Sequence, residues 1–274
     1  MNTFQFLDFI IVGAYWVLGG WGLLSLRRPL APFSGAGGFL RKGLITLVVV
    51  FQAFLIHWQM FPEGHLNLSL GVSLLMVSWV TVVMYSLVAV RIPMGILESW
   101  VLLISGVLSL APIVFNGDQL EPNSGSGLFK IHLVLSLIAY GLYGLATVHA
   151  ILMAILEKRL HDRAELPHWG TLPSLVYMDQ LLFRMLWVGF IFLTATDASG
   201  IFFSQQIFGK PLVWNHKVIF SVLAWMIYGC LLAARHGWGI RGRKAAQWTL
   251  VGFLTLLMAF VGSKFVLEVI LHRV

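Results

Sequence analysis

The sequence predicts an all-α protein that crosses a membrane about eight times, and three observations carry that prediction. Hydrophobic residues make up 59% of the 274 and charged residues only 11%, with a mean hydropathy of +0.88, far outside the soluble range. Apolar runs of about twenty residues, each long enough to cross a bilayer as a helix, recur near 5–26, 40–60, 66–90, 97–116, 130–155, 181–203, 212–234 and 246–270. The basic residues fall in alternate links between those runs, the pattern of topology signals.

Those links fix an expected orientation. The links at 27–42 (Arg27, Arg28, Arg41, Lys42), near Arg91, at 157–184 (Lys158, Arg159, Arg163, Arg184) and at 235–245 (Arg235, Arg241, Arg243, Lys244) are read as cytoplasmic. The links at 60–66, 117–129 and 203–213 hold few bases and are expected outside, with both termini. Residues 1–26 read as a retained helix, because the Arg27–Arg28 pair follows the apolar run where a cleavage motif would stand. Segment 117–129, rich in turn-forming residues, divides a four-helix half at 1–116 from a second four-helix half at 130–274. The long inner link 157–184 carries enough Leu, Val, Tyr and Met for part of it to lie along the interface.

Several functions are disfavoured at this level. The net charge of +7 belongs to the topology signals and forms no phosphate-binding patch, so no nucleic-acid partner is expected. Cys230 is the single cysteine and lies in an apolar run, which leaves no disulfide framework, redox pair or C-x-x-C-H attachment motif. Nucleotide-binding loops, H-E-x-x-H and G-x-S-x-G are missing.

Histidine is the informative residue, because a polar ring in an apolar helix needs a partner and neutral imidazole is an iron ligand. His57, His65, His132 and His216 gather on the expected outer side. A pair of such histidines with Trp58, Phe61, Phe202, Phe203, Phe208 and Trp214 would suit a flat apolar macrocycle: axial nitrogens and aromatic walls. The same residues also suit a membrane edge that carries no ligand. His149, about 25 Å along the same helix from His132, suits an interhelical hydrogen bond instead. Asp197, and Lys264 with Glu268 at i,i+4, are charges at membrane depth that would be paired or would line a cavity. Asp179 and Arg184 sit at the inner edge, where snorkelling would suffice.

Four stretches in order resemble the cytochrome c assembly family, which includes CcsA and CcmC, and most of all its short HemX-like and YpjD-like members. They are KIHLVLSLIAYGLYG (130–144), MDQLLFRMLWVGFIFLTATDASG (178–200), VWNHK with the basic GWGIRGRKAA tail (213–246), and FVGSKFVLEVIL (260–271). The resemblance implies haem binding at the outer face of a multi-pass protein of the bacterial inner membrane, in the company of other cytochrome c maturation components. It places His132 on the family's outer haem-ligand histidine and Trp214 on a tryptophan of the haem-contacting loop.

Departures accompany it. Asn215 replaces the loop's acidic residue and His216 its proline. Ala233 stands where large members carry a histidine, and His272 lies one position from the family's C-terminal ligand. His216 is therefore read as a relocated second ligand beside His132, with His57 as the alternative and Trp214, Asn215 and Lys217 shaping the pocket. The expected function is to bind or pass haem during cytochrome c assembly, short of the full attachment reaction. A transporter of haem or another small substrate and a HemX-like regulatory or scaffold protein are the alternatives. Against transport, no pair of broken helices is evident in corresponding places of the two halves.

Overall fold

Hydropathy and helix propensity resolve, in a computed structural model, into an up-and-down bundle whose described residues are 3–26, 36–62, 65–92, 94–115, 117, 126–162, 173–208 and 214–266. The helices are α1 (Thr3–Leu26), α2 (Ala36–Met60), α3 (Leu70–Ala89), α4 (Gly95–Leu108), α5 (Ala111–Val114), α6 (Gly127–His161), α7 (Leu175–Phe208), α8 (His216–Trp238) and α9 (Gly242–Leu257). A π-helical turn, Met258–Gly262, and a last short helix α10 (Ser263–Phe265) continue α9. No strand occurs among the described residues, and these elements supply eight helices long and apolar enough to span a membrane. The protein is a multi-pass membrane protein, as its hydropathy predicts.

Several boundaries differ from the expected ones. Much of the link at 157–184 is helix: α6 runs on to His161 and α7 starts at Leu175, so these residues extend two long helices. Residues 163–172 of that link lie outside the described set. Likewise α2 begins at Ala36, which puts Arg41 inside a helix and out of the link.

Arg41 is 4% exposed, pairs with Glu98 of α4, and its Nη2 donates to the Leu18 carbonyl of α1 at 3.3 Å. Gly22 of α1 makes the space, since a side chain there would strike Ser99 and the Arg41 guanidinium. Nearby polar groups are satisfied between helices in the same way. Tyr15 of α1 bonds Gln52 of α2, whose amide donates to Ser109 Oγ at 3.2 Å, while Ser78 Oγ donates to the Ser105 carbonyl at 3.0 Å. With no hydrophobic drive between helices in lipid, such bonds and close small-residue packing hold the bundle.

In the second half the centre is a stacked pair of rings. Tyr143 of α6 and Tyr228 of α8 lie parallel with centroids 3.8 Å apart and planes 10° apart. Gly189 of α7 and Gly252 of α9 back the two rings so closely that a Cβ would come within 3.0 Å and 2.7 Å of them. The two halves are not insulated from each other, because α3 packs along α6, with Gly141 seated against Val80.

The basic end is tied across helices. Asp179 of α7 pairs with Arg235 of α8 at 2.6 Å and accepts from the Gly242 N–H at 3.0 Å. Asp179 is therefore a structural partner that fixes the tight α8–α9 turn and does not snorkel. Gly239 takes φ +62° and Gly242 φ +60° in that turn, conformations that side-chain-bearing residues resist. His149 donates from Nε2 to the Met178 carbonyl at 2.9 Å, the interhelical bond expected of it.

At the opposite end two spans depart from regular α-helix. The fourth breaks at Ser109–Leu110, after which Pro112 opens α5, and the eighth carries the π turn. The Pro112 break and the π turn are irregularities of the kind that periodicity does not reveal. Phe115 and Phe265, just beyond them, meet edge to face at 6.4 Å.

The buried ion pair yields a prediction. Glu98→Ala should destabilise the detergent-solubilised protein by about 3–5 kcal/mol, because it strips the carboxylate from a buried guanidinium. Arg41→Met with Glu98→Leu should cost less than the single change. Chemical unfolding followed by tryptophan fluorescence tests this ordering, and a single variant as stable as wild type contradicts it.

Candidate haem cavity

At the end opposite the basic turns, α6, α7, α8, α9 and α3 diverge around a cavity of about 560 Å³. Its walls are mostly apolar: Met76 and Val77 from α3, Leu133 and Leu137 from α6, Leu193 from α7, Leu256 and Phe260 from α9 and the π turn. Polar groups converge on it as well, among them His132, Tyr140, Asp197, Asn215, Lys217 and Ser221. A concave apolar site with sparse polar groups, within about 300–1,000 Å³, is what small molecules and cofactors occupy.

His132 reaches the cavity from the second turn of α6. Its Nδ1 lies 3.1 Å from the Thr196 carbonyl and 3.0 Å from Ser199 Oγ, both on α7. A carbonyl only accepts, so Nδ1 carries the proton and the lone pair resides on Nε2, the nitrogen a metal would take. Gly200 gives the ring its slot, since a Cβ there would come 3.3 Å from His132 Cε1.

Two side-chain bonds join α7 to α8 at and below the cavity. Ser221 Oγ donates to Asp197 Oδ1 at 2.6 Å, and Trp225 Nε1 donates to Thr194 Oγ1 at 2.9 Å. Tyr140 closes the floor by donating to the Leu256 carbonyl at 2.6 Å. Asn215 stands at the rim as the N-cap of α8, its Oδ1 accepting from the Val218 N–H at 3.0 Å, and Lys217 is exposed beside it.

Of the residues singled out from the sequence, His132, Asp197, Asn215 and Lys217 therefore share one cavity. His216 opens α8 between two lining residues, is exposed, and is not itself in the lining. Trp214 is 67% exposed and also outside the lining. His57 is exposed on α2, a helix with no lining residue, and its ring lies 5.4 Å from that of Phe61. The expected aromatic walls are elsewhere too: Trp58, Phe61 and Phe202 are exposed, whereas Phe129, Tyr140 and Phe260 line the cavity. The side chains of Phe203 and Phe208 lie outside the described residues, as do Glu268 and His272.

Lys264 is buried behind Phe260, with Nζ 5.3 Å from that ring, and donates to the Leu68 carbonyl; it is not in the lining. Ser136, Tyr140, Thr196 and Ser221 were not picked out as site residues. The signal was available, for His132, Ser136 and Tyr140 recur at i,i+4 and so share one face of α6.

Comparison with known proteins agrees with this architecture. The profile of the family described as "Cytochrome C assembly protein" matches residues 42–271. The "Inner membrane protein YpjD" of Escherichia coli (strain K12) is 26% identical over 246 residues, covering 85% of this chain and 89% of that protein. The "Cytochrome c biogenesis protein CcsA" of Synechococcus sp. (strain CC9605) is 25% identical over 285 aligned positions, 89% of this chain and 90% of the relative. The "Protein HemX" of Brevibacillus brevis is 28% identical over 137 residues, half of each chain. With most of its length matched, the eight-span chain built around the His132 cavity belongs to the cytochrome c assembly protein family.

Proposed function

We propose that the protein binds haem in this cavity, at the outer face of a bacterial inner membrane, and passes it on during cytochrome c biogenesis without carrying out the full attachment reaction. The single observation that carries the reading is His132, set in an apolar cavity with its Nδ1 proton committed to α7. Family membership and similarity to proteins named for cytochrome c biogenesis support the pathway. The residues fit the group: Nε2 of His132 is a basic nitrogen, the walls are apolar, and Lys217 at the rim is a cation for carboxylate side arms. Bound haem would supply an iron that takes an imidazole nitrogen as ligand, and His132 is the residue that would hold it.

His216, one residue from Lys217, is the proposed second ligand, and His57 the alternative. Trp214 and Asn215 are proposed to border the ligand at the rim. The arginine- and lysine-rich turns support a cytoplasmic basic end, with the cavity then on the outer side. Other maturation components would meet the protein there.

The test is a haem titration of the purified, full-length protein followed by its Soret absorbance. Wild type should bind. His132→Ala should weaken binding by at least about tenfold, on the scale seen when groups that support a metal site are lost, and His216→Ala should weaken it as well. Unchanged binding in His132→Ala would remove the idea.

A second reading, transport of haem or another amphipathic substrate, is favoured by one observation. The fourth and eighth spans, the last of each half, both carry a helix irregularity towards the cavity end, a turn at Ser109–Leu110 and a π-helical turn at Met258–Gly262, and helix irregularities of this kind often fall at functional sites. Lys264 bonds the Leu68 carbonyl in the segment that leads into α3, beside that region. Flux of haem into proteoliposomes should then fall severalfold in Lys264→Ala. Absence of flux in wild type, or equal flux in the variant, contradicts this reading.

A further inference from the structure

We infer that Ser199 is a positioning residue for His132, holding the imidazole as the Nδ1–H tautomer with Nε2 as the ligating nitrogen. The inference rests on the haem reading of the cavity and adds the residue that sets the ligand's donor strength and ring orientation.

The geometry is a closed triangle. His132 Nδ1 is 3.0 Å from Ser199 Oγ and 3.1 Å from the Thr196 carbonyl, and Ser199 Oγ donates to that same carbonyl at 2.8 Å. Ser199 follows Thr196 by three residues, so one turn of α7 presents both oxygens to the ring. The hydroxyl spends its proton on the carbonyl and turns lone pairs towards the imidazole, which leaves Nδ1–H as the donor to both oxygens.

The other tautomer would set the Nδ1 lone pair against the lone pairs of the carbonyl oxygen at 3.1 Å and force the Ser199 hydroxyl to turn from that carbonyl to Nδ1. Gly200 reinforces the arrangement from the side, for a Cβ there would lie 3.3 Å from Cε1 and 3.6 Å from Nδ1. The ring therefore rests against bare backbone and has little rotational freedom. A donated Nδ1–H hydrogen bond raises the basicity of Nε2 and fixes the plane of the ring, which is what a metal-bound imidazole needs from its surroundings. The Thr196 hydroxyl takes no part: it donates to the Phe192 carbonyl one turn earlier at 2.8 Å.

The experiment compares the full-length wild type with Ser199→Ala, Ser199→Thr, Gly200→Ala and His132→Ala. Two readouts are taken: haem affinity from the Soret titration, and the electron paramagnetic resonance g values of the ferric complex, which report imidazole donor strength and orientation. Ser199→Ala should bind haem about tenfold more weakly with shifted g values, and Ser199→Thr, which keeps the hydroxyl, should restore both. Gly200→Ala, which keeps every hydrogen bond and crowds the ring edge, should shift the g values as well. Wild-type affinity and g values in Ser199→Ala, alongside loss of haem in His132→Ala, overturn the role of Ser199 and leave the haem reading standing. Wild-type binding in His132→Ala overturns both.

Discussion

The second half of the chain depends on the Tyr143–Tyr228 stack. Two phenol rings 3.8 Å apart are clasped between α6 and α8, and Gly189 and Gly252 let α7 and α9 close on their outer faces. In lipid, helices gain little from hiding apolar surface, so association rests on such close contact, and a parallel aromatic pair adds about 0.5–1.5 kcal/mol beyond the contact area. Around the stack the four helices pack closely, and the cavity lies on the His132 side of it. The cavity is the space left where that clasp ends, and Tyr140, one turn from Tyr143, is its floor.

The intramembrane charges then sort into two kinds. Arg41 with Glu98 and Asp179 with Arg235 are spent on each other, and each pair joins helices near the basic end. Burial of such pairs adds little net stability but is costly to break, so they act as fixed braces. The polar groups of the cavity differ in being set against apolar walls with space before them: His132, Asp197 and Lys217 border the same opening. Polar groups at membrane depth are candidate functional groups by default; of these two sets the second retains that standing, as does the buried Lys264 that bonds the Leu68 carbonyl.

Hydropathy made the eight spans legible, because a bilayer demands about twenty apolar residues whatever else the helix does. His132 was legible too, as a polar ring in an apolar run within a stretch that resembles a known family. Lys217 and Asn215 followed from their place at the start of a helix. What stayed hidden depends on which side of a helix faces its neighbours. In a chain apolar all round, lipid-facing and core-facing positions look alike, so Trp58 and Phe202 could be taken for pocket walls while Phe129 and Phe260 went unnoticed. Arg41 misled for a related reason: an arginine close to a basic loop reads as a topology signal, and only the Glu98 carboxylate from a distant helix makes it a buried partner. Ser199 and Thr196 act on His132 through a contact 60-odd residues distant in sequence, which no local pattern reports.

The most direct test of the central claim is an experimental map of the protein prepared with haem. The account predicts planar density between α3, α6, α7, α8 and α9, with the iron next to His132 Nε2 and Nδ1 still against the Thr196 carbonyl. Haem density elsewhere on the protein, or an iron ligated without His132, would contradict it.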